Sequence, residues 1–230
     1  MVVTLFDNDT STLTYILVCK AIREAIIIDP VDTQLERDLE HIKRLRLQLK
    51  WILETHVHAD HITSSGKLRE VTGAKIATPQ GCGVLPADYQ LKHHDEVKWG
   101  AEYLKVLHTP GHTQGSVSFY WNDAVFTGDT LLIEGCGRAD FQGGCADALY
   151  TSLTEVLFAL PDTTYVYPGH DYRGQRVSTI GYEKLHNPRI AGRGREEFIN
   201  IMAALNLEKP KKIDIAVPAN RALGQLPHGA

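Results

Sequence analysis

The sequence predicts a layered α/β domain with β-sheets inside and helices outside. Strand-like segments come first and then alternate with helical ones, an order typical of such folds. Each polar cluster that could carry chemistry follows directly after a strand, where loops on a rigid scaffold usually place functional side chains. With 230 residues, 43% of them hydrophobic, one core is sufficient, so a single domain over 1–230 is expected.

The individual elements follow from short apolar runs and from helical spacing. Apolar runs bounded by turn residues predict strands at 14–19, 25–29, 51–53, 103–107, 117–121, 124–126 and 165–167. Apolar residues at helical spacing predict a helix after Asp32 or Thr33, then Ser64–Val71 ending at Gly73, Ala146–Leu160 ending at Pro161, and about Gln175–Leu185.

Charge and composition exclude several classes of partner. The formal net charge of −4 gives no basic footprint, so nucleic acid is not expected as a partner. No apolar run reaches the roughly 20 residues that span a bilayer, so no membrane partner is expected. The segment Met1–Phe6 lacks the features of a leader, and the four cysteines form no CxxC pair. A cytoplasmic protein is therefore expected, and a homodimer is among the assemblies open to it.

The segment Thr55–His61, THVHADH, is the strongest signal in the sequence. His56, His58, Asp60 and His61 are four metal-competent side chains within six residues, directly after a predicted strand. In an extended segment His56 and His58 point to the same side. A run of solvated or capping residues is the plain alternative, but this spacing at a strand end is rare by chance.

Three later loops repeat the same arrangement. His112 in TPGHT, Asp129 in TGDT and His170 in YPGHD each follow a predicted strand, and small residues before each allow a tight turn. The seven side chains could hold two zinc ions that activate water as hydroxide. Alternatively, His56, His112 and Asp129 could form the two-histidine, one-carboxylate triad of Fe(II) oxygenases. Spacing alone leaves both open.

The order HxHxDH, PGHT, GD and a late GH resembles the metal-site pattern of the metallo-β-lactamase superfamily. This resemblance implies the αββα sandwich of that fold, in which two central mixed β-sheets are flanked by helices. It also implies a metal site, without fixing the reaction.

Further motifs resemble the ETHE1-like persulfide dioxygenase family within that superfamily. They are Gly135–Gln142 (GCGRADFQ), Ser11–Tyr15, His170-Asp171-Tyr172, Asn187-Pro188-Arg189 and Val217–Asn220 (VPAN). The resemblance implies an oxidoreductase that oxidises glutathione persulfide with O₂ to sulfite and glutathione at one Fe(II) per chain. It also implies a family-specific C-terminal segment from about residue 186. The alternative is a di-zinc thioester hydrolase similar to glyoxalase II, which carries a longer C-terminal extension.

The resemblance also implies roles for individual residues. The Fe(II) ligands would be His56, His112 and Asp129, and a second pocket without metal would be formed by His58, Asp60, His61 and His170. Tyr172 is a candidate catalytic and substrate-binding hydroxyl near the open iron positions, with a packed tyrosine as the alternative. Arg138 and Arg221 are candidates to bind the carboxylates of glutathione. An internal pair of Arg138 with Asp140 or Asp171 is the alternative for that residue. The six histidines predicted to be surface or capping residues are His41, His93, His94, His108, His186 and His228.

Overall fold

A computed structural model describes residues 1–226 of the chain. Within this range the backbone forms two six-stranded sheets with the orders β1-β2-β3-β4-β5-β6 and β12-β11-β10-β9-β8-β7. No helix in the described part of the chain is long and apolar enough to cross a bilayer. The last four residues of the predicted domain, including His228, lie outside the described residues.

The first sheet is mixed. β1 to β3 pair antiparallel, and β3 to β6 pair parallel. Its strands are β1 (Val2–Phe6), β2 (Leu13–Cys19), β3 (Glu24–Ile28), β4 (Gln48–Leu53), β5 (Lys75–Pro79) and β6 (Tyr89–Leu91). The parallel connections are made by α1 (Leu35–Arg44), after a 3₁₀ turn at Asp32–Gln34, and by α2 (Ser65–Thr72).

The second sheet is also mixed. β8 to β10 are antiparallel, β10 and β11 are parallel, and β12 returns antiparallel to β11. Its strands are β7 (Glu96–Trp99), β8 (Glu102–His108), β9 (Val117–Trp121), β10 (Ala124–Gly128), β11 (Tyr165–Pro168) and β12 (Ser178–Thr179). The later helices are α3 (Ala146–Thr151) with a π-helical continuation at Ser152–Leu157, α4 (Ile180–His186), α5 (Arg195–Ala203) and α6 (Ile213–Arg221).

The chain forms two compact units, each with its own core. The first comprises Met1–Leu91, Val97–Tyr103 and the part from Lys209 onward, and the second comprises Lys92–Glu96 and Leu104–Glu208. In the first, strand residues such as Ile27 and Ile52 pack with helix residues such as Leu68. In the second, Val125 packs with Leu149 and Phe198. Helices thus cover a face of each mixed sheet, and the predicted fold class is confirmed. A single domain over the whole chain stays a prediction.

Most predicted elements are confirmed to within a few residues, and the exceptions have local causes. The helix predicted from Gln175 is wrong in its first half, because β12 pairs with β11 first. Its true start is Ile180, since Thr179 Oγ1 accepts a hydrogen bond from Tyr182 N at 3.1 Å. The predicted surface histidines His93, His94, His108 and His186 are exposed, and His41 is half-buried.

Asp38 on α1 is a buried carboxylate with an uncommon environment. Its Oδ1 accepts a hydrogen bond from Arg37 Nε at 2.9 Å and forms an ion pair with Arg37 Nη2 at 2.8 Å. Burial raises the pKa of Asp38 to about 6, although the adjacent Arg37 charge acts in the opposite direction. The folded state therefore holds a proton on Asp38 over a pH range in which the unfolded chain has released it.

We expect Asp38→Asn to flatten the pH dependence of stability. Between pH 4 and pH 6 the folded parent binds more protons than the unfolded chain, so its free energy of unfolding falls as pH rises. The rise of the pKa from 3.8 to about 6 corresponds to at most about 3 kcal/mol of unfolding free energy, which the parent loses as the pH rises. Asp38→Asn carries no carboxyl group at this position and should not show this loss. Urea unfolding of metal-free protein at several pH values measures this. Glu40→Gln, on the exposed side of the same helix, should follow the parent, and parallel curves for Asp38→Asn would refute the expectation.

Candidate metal centre

His56 lies directly after β4 and is oriented by a chain of hydrogen bonds. Its Nδ1 lies 2.9 Å from Thr55 Oγ1, and this hydroxyl donates to Asp29 Oδ2 at 2.7 Å. Because the Thr55 proton is used on Asp29, the hydroxyl accepts from His56, and Nδ1 carries the hydrogen. The other ring nitrogen, Nε2, is then left with its lone pair available to a metal.

His58 is fully buried between two carboxylates. Its Nε2 lies 3.2 Å from Asp29 Oδ1 and 3.5 Å from Glu54 Oε2. Burial alone would lower the pKa of His58, but Asp29 and Glu54 together raise it well above its usual value. The imidazole is therefore held between two carboxylates that favour its charged form.

Asp60 and His61 contact each other at the end of this loop. His61 Nδ1 lies 3.0 Å from Asp60 Oδ2 and 3.4 Å from the Thr12 hydroxyl. Thr12 Oγ1 also donates to Asp60 Oδ2 at 3.5 Å. His61 is buried and Asp60 is half-buried, so these two side chains lie at the inner edge of the loop between β4 and α2.

In the second unit, His112 is oriented by a backbone carbonyl. Its Nδ1 donates to Arg138 O at 2.7 Å, which again leaves Nε2 available. The GCG turn makes this approach possible, because a Cβ on Gly137 would lie 2.7 Å from His112 Nδ1 and 2.5 Å from Asp129 O. Only glycine fits between the two.

Asp129 follows β10 and is held by His170, which follows β11. His170 Nδ1 donates to Asp129 Oδ1 at 2.6 Å, and Asp129 Oδ2 lies 3.7 Å from His112 Nε2. A Cβ on Gly169 would lie 2.7 Å from Asp129 Oδ1, so glycine is needed beside this carboxylate too. One oxygen of Asp129 is therefore positioned by a histidine, and the other lies on the side of His112.

The ligand set of His56, His112 and Asp129 stays a prediction. Within the first unit, two groups of side chains bring potential ligand atoms within 4.8 Å of one another. They are His58, Asp60 and His61; and Asp29, Glu54 and His58. The first of these groups contains three of the four residues predicted for the second pocket. The fourth, His170, is the one that holds Asp129.

Tyr172 has an exposed ring that stacks on the buried His170. The ring centroids are 5.6 Å apart with an angle of 2° between the planes, and the tyrosine is 68% exposed. The ring therefore covers the outer side of the histidine that positions Asp129. A catalytic or substrate-binding role for its hydroxyl stays a prediction.

The Arg138 side chain is engaged with the protein itself. Nε and Nη2 donate to the two oxygens of Asp140 at 2.6 and 2.7 Å, and Nη1 donates to Glu208 O at 2.6 Å. Nη2 also donates to Leu207 O at 3.2 Å. These contacts correspond to the internal pair considered from the sequence. The role of Arg138 as a carboxylate clamp stays a prediction.

Arg221, the last residue of α6, is exposed. Its Nε donates to Cys82 O at 3.3 Å, in the loop between β5 and β6. The guanidinium lies beside Gly83, where an added Cβ would come within 3.5 Å of Nε. Binding of a substrate carboxylate by Arg221 also stays a prediction.

Sequence reasoning did not identify Asp29 and Thr55 as site residues. The amide and the hydroxyl of Thr55 both donate to Asp29, each at 2.7 Å. A signal was present, because β3 and β4 are parallel neighbours with Ile28 opposite Leu53. Polar residues that follow two paired parallel strands emerge at the same sheet edge.

Comparison with known proteins agrees with this geometry. A family model described as the metallo-beta-lactamase superfamily matches residues 9–170. The human protein "Persulfide dioxygenase ETHE1, mitochondrial" is 45% identical over 222 residues, covering 96% of this chain and 87% of the relative. The probable hydroxyacylglutathione hydrolase SPCC13B11.03c of Schizosaccharomyces pombe is 34% identical over 169 residues, covering 71% and 65%.

The solved structure of ETHE1 from Myxococcus xanthus has a TM-score of 0.96 and 54% identity, covering 98% of this chain and 100% of that one. A metallo-beta-lactamase from Staphylococcus aureus has a TM-score of 0.90 at 26% identity, covering 98% and 73%. The chain therefore belongs to the metallo-β-lactamase superfamily and, within it, to the family of the ETHE1 persulfide dioxygenases.

Proposed function

We propose that this protein is a persulfide dioxygenase that oxidises glutathione persulfide with O₂, using one Fe(II) held by His56, His112 and Asp129. The observation that carries the proposal is the hydrogen bonding that orients each of these three side chains within its own unit, His56 through Thr55, His112 through Arg138 O and Asp129 through His170. Two imidazoles and one carboxylate are the ligand set of non-haem Fe(II) oxygenases, in which further coordination positions remain open. Family membership supports the same reaction class.

The donor chemistry of this chain fits a divalent cation. His56 and His112 each commit Nδ1 to an oxygen acceptor, so both offer Nε2. Asp129 supplies the negative charge that two neutral imidazoles lack, and His170 fixes one of its oxygens. Hydrogen bonds of this kind, made by groups outside the ligand set, hold metal ligands in the orientation that binding requires.

The reaction balances without an external reductant. Glutathione persulfide, O₂ and water give glutathione, sulfite and two protons, and the terminal sulfur supplies the electrons that reduce O₂. Bound Fe(II) would supply the open coordination positions and the electron exchange that this oxidation needs. The contribution of the protein is to orient the ligands and to bind the glutathione part of the substrate.

We propose that His58, Asp60, His61 and His170 surround a second pocket that holds no metal. His58 lies between Asp29 and Glu54, which raise its pKa and favour the protonated form that cannot ligate a metal ion. His170 donates Nδ1 to Asp129 and orients that carboxylate. Tyr172 and Arg221 are proposed to contact the substrate, because both are exposed. Arg138 would have to exchange contacts with Asp140 to bind a carboxylate.

A di-zinc thioester hydrolase is the second candidate. The group formed by His58, Asp60 and His61 could contribute to a second metal site, and the S. pombe relative is a probable hydroxyacylglutathione hydrolase. The two candidates differ in metal content, in oxygen consumption and in the bond that is broken.

Protein purified without added metal should contain one iron per chain and consume oxygen when glutathione persulfide is added. An oxygen electrode, sulfite analysis and metal analysis measure this together. Removal of iron by a chelator should abolish uptake, and Fe(II) should restore it. Protein that holds two zinc ions, consumes no oxygen and rapidly cleaves S-lactoylglutathione would establish the hydrolase instead.

Thr55→Val should weaken iron binding about tenfold or more, because it removes the hydroxyl that links His56 to Asp29. The free energy of unfolding should fall by about 1–3 kcal/mol as well, since buried polar partners lose a hydrogen bond. Competition with a chelator of known affinity and urea unfolding measure the two effects. Thr55→Ser keeps the hydroxyl and is the matched control. If valine and serine bind iron equally well, the hydroxyl does not orient His56.

Arg138→Met should lower the melting temperature, because four hydrogen bonds to Asp140, Leu207 and Glu208 are lost. A loss of about 1–3 kcal/mol is expected for such a charged group. Arg44→Met, an exposed change at the end of α1, is the control for loss of charge alone. An unchanged melting temperature with a roughly tenfold higher KM for glutathione persulfide would instead identify Arg138 as a substrate clamp.

A further inference from the structure

Asn220 in the last turn of α6 is buried, with 4% of its surface exposed. Its amide contacts three backbone groups of the metal-competent loop. Nδ2 donates to His58 O at 2.9 Å and to His61 O at 2.8 Å. Oδ1 accepts from Thr63 N at 2.8 Å. One side chain thus satisfies two carbonyls and one amide that no regular element pairs.

The turn that follows Asn220 packs on the end of the same loop and on the first turn of α2. Gly66 N donates to Leu223 O at 3.0 Å, and a Cβ on Gly66 would lie 2.6 Å from that oxygen. Gly224 has φ +85°, and an added Cβ there would overlap the carbonyl oxygen of Thr63. The C-terminal turn and the loop therefore fit together backbone against backbone, with the Asn220 amide at the centre of the contact.

These contacts hold the backbone next to residues predicted for the second pocket, whereas His56 is held by other groups. His56 is oriented by Thr55 and Asp29, and neither of these contacts involves Asn220. The two acceptors of Asn220 are instead the carbonyls of His58 and His61, which enclose Asp60. Fixing both ends of this short segment fixes the directions in which the Asp60 and His61 side chains point.

We propose that Asn220 is a positioning residue that sets the geometry of Asp60 and His61 through the backbone of the loop. The inference rests on the proposed function for the role of this pocket in turnover. An amide is required because it combines two donors with one acceptor. Aspartate has the same shape but no donor, and it would point an oxygen at two carbonyls. Loss of this support should displace Asp60 and His61 while the iron ligands stay in place.

The test compares Asn220→Asp with the parent and with Ile215→Ala, an exposed change on the same helix. In iron-loaded protein, kcat per bound iron should fall about tenfold or more, while iron content and KM change by less than about twofold. In metal-free protein, hydrogen exchange should accelerate in the peptide covering 57–64, and Ile215→Ala should match the parent in both measurements. Gly224→Ala disturbs the same contact from the backbone side and should give the same pattern, which covers the case in which Asn220→Asp does not fold.

The outcomes separate the two proposals. A parent protein that takes up no oxygen overturns the proposed function, and hydrogen exchange still decides whether Asn220 holds the loop. Unchanged exchange at 57–64 in both variants overturns the positioning role. A lower melting temperature with unchanged kcat per iron also overturns it, because Asn220 would then stabilise the fold without directing Asp60 and His61.

Discussion

Asp29 directly follows β3 and lies in the left-handed region, with φ of 50°. Its carboxylate accepts hydrogen bonds from the amide and the hydroxyl of Thr55. The hydroxyl passes this constraint to His56, and the other carboxylate oxygen faces His58. A left-handed conformation is unfavourable for most residues other than glycine, so surrounding hydrogen bonds must hold Asp29 in it. Two do so on its backbone, since Asp29 N donates to Leu53 O and the Thr14 hydroxyl donates to Asp29 O. The direction of the first predicted ligand therefore depends on one buried carboxylate.

In the second unit, different groups orient the predicted ligands. His112 is oriented by the Arg138 carbonyl and Asp129 by His170, so neither depends on a carboxylate partner. The chain makes room for these contacts with glycines, at 137 and 169, rather than with strained polar residues. In both units the ring nitrogen Nδ1 is committed and Nε2 remains available. The common principle is that the outer hydrogen bond selects the ligand atom.

The sequence was sufficient for the elements whose periodicity is strong and for the ligand-type residues. Val117–Trp121 was predicted at its exact bounds, and the loop after β4 was identified from its histidines. Helices α5 and α6 were not predicted. α6 carries a proline within the helix, and its role becomes visible only through the long-range contact of Asn220 with residues 58–63. Asp29 was missed because its importance comes from strand pairing and not from any local motif.

The same set of ligand-type side chains can serve a hydrolase or an oxygenase, so residue identity is not what distinguishes the two. The distinction must lie in how the surroundings of each side chain affect its ability to bind metal. Hydrogen bonds at Nδ1 orient His56, His112 and His170 alike. His58 differs, because Asp29 and Glu54 raise its pKa and favour the protonated imidazole, which has no lone pair for a metal ion. A second metal ion at His58 would have to displace a proton that two carboxylates stabilise, which favours a single metal ion and the open coordination positions that an oxygenase requires.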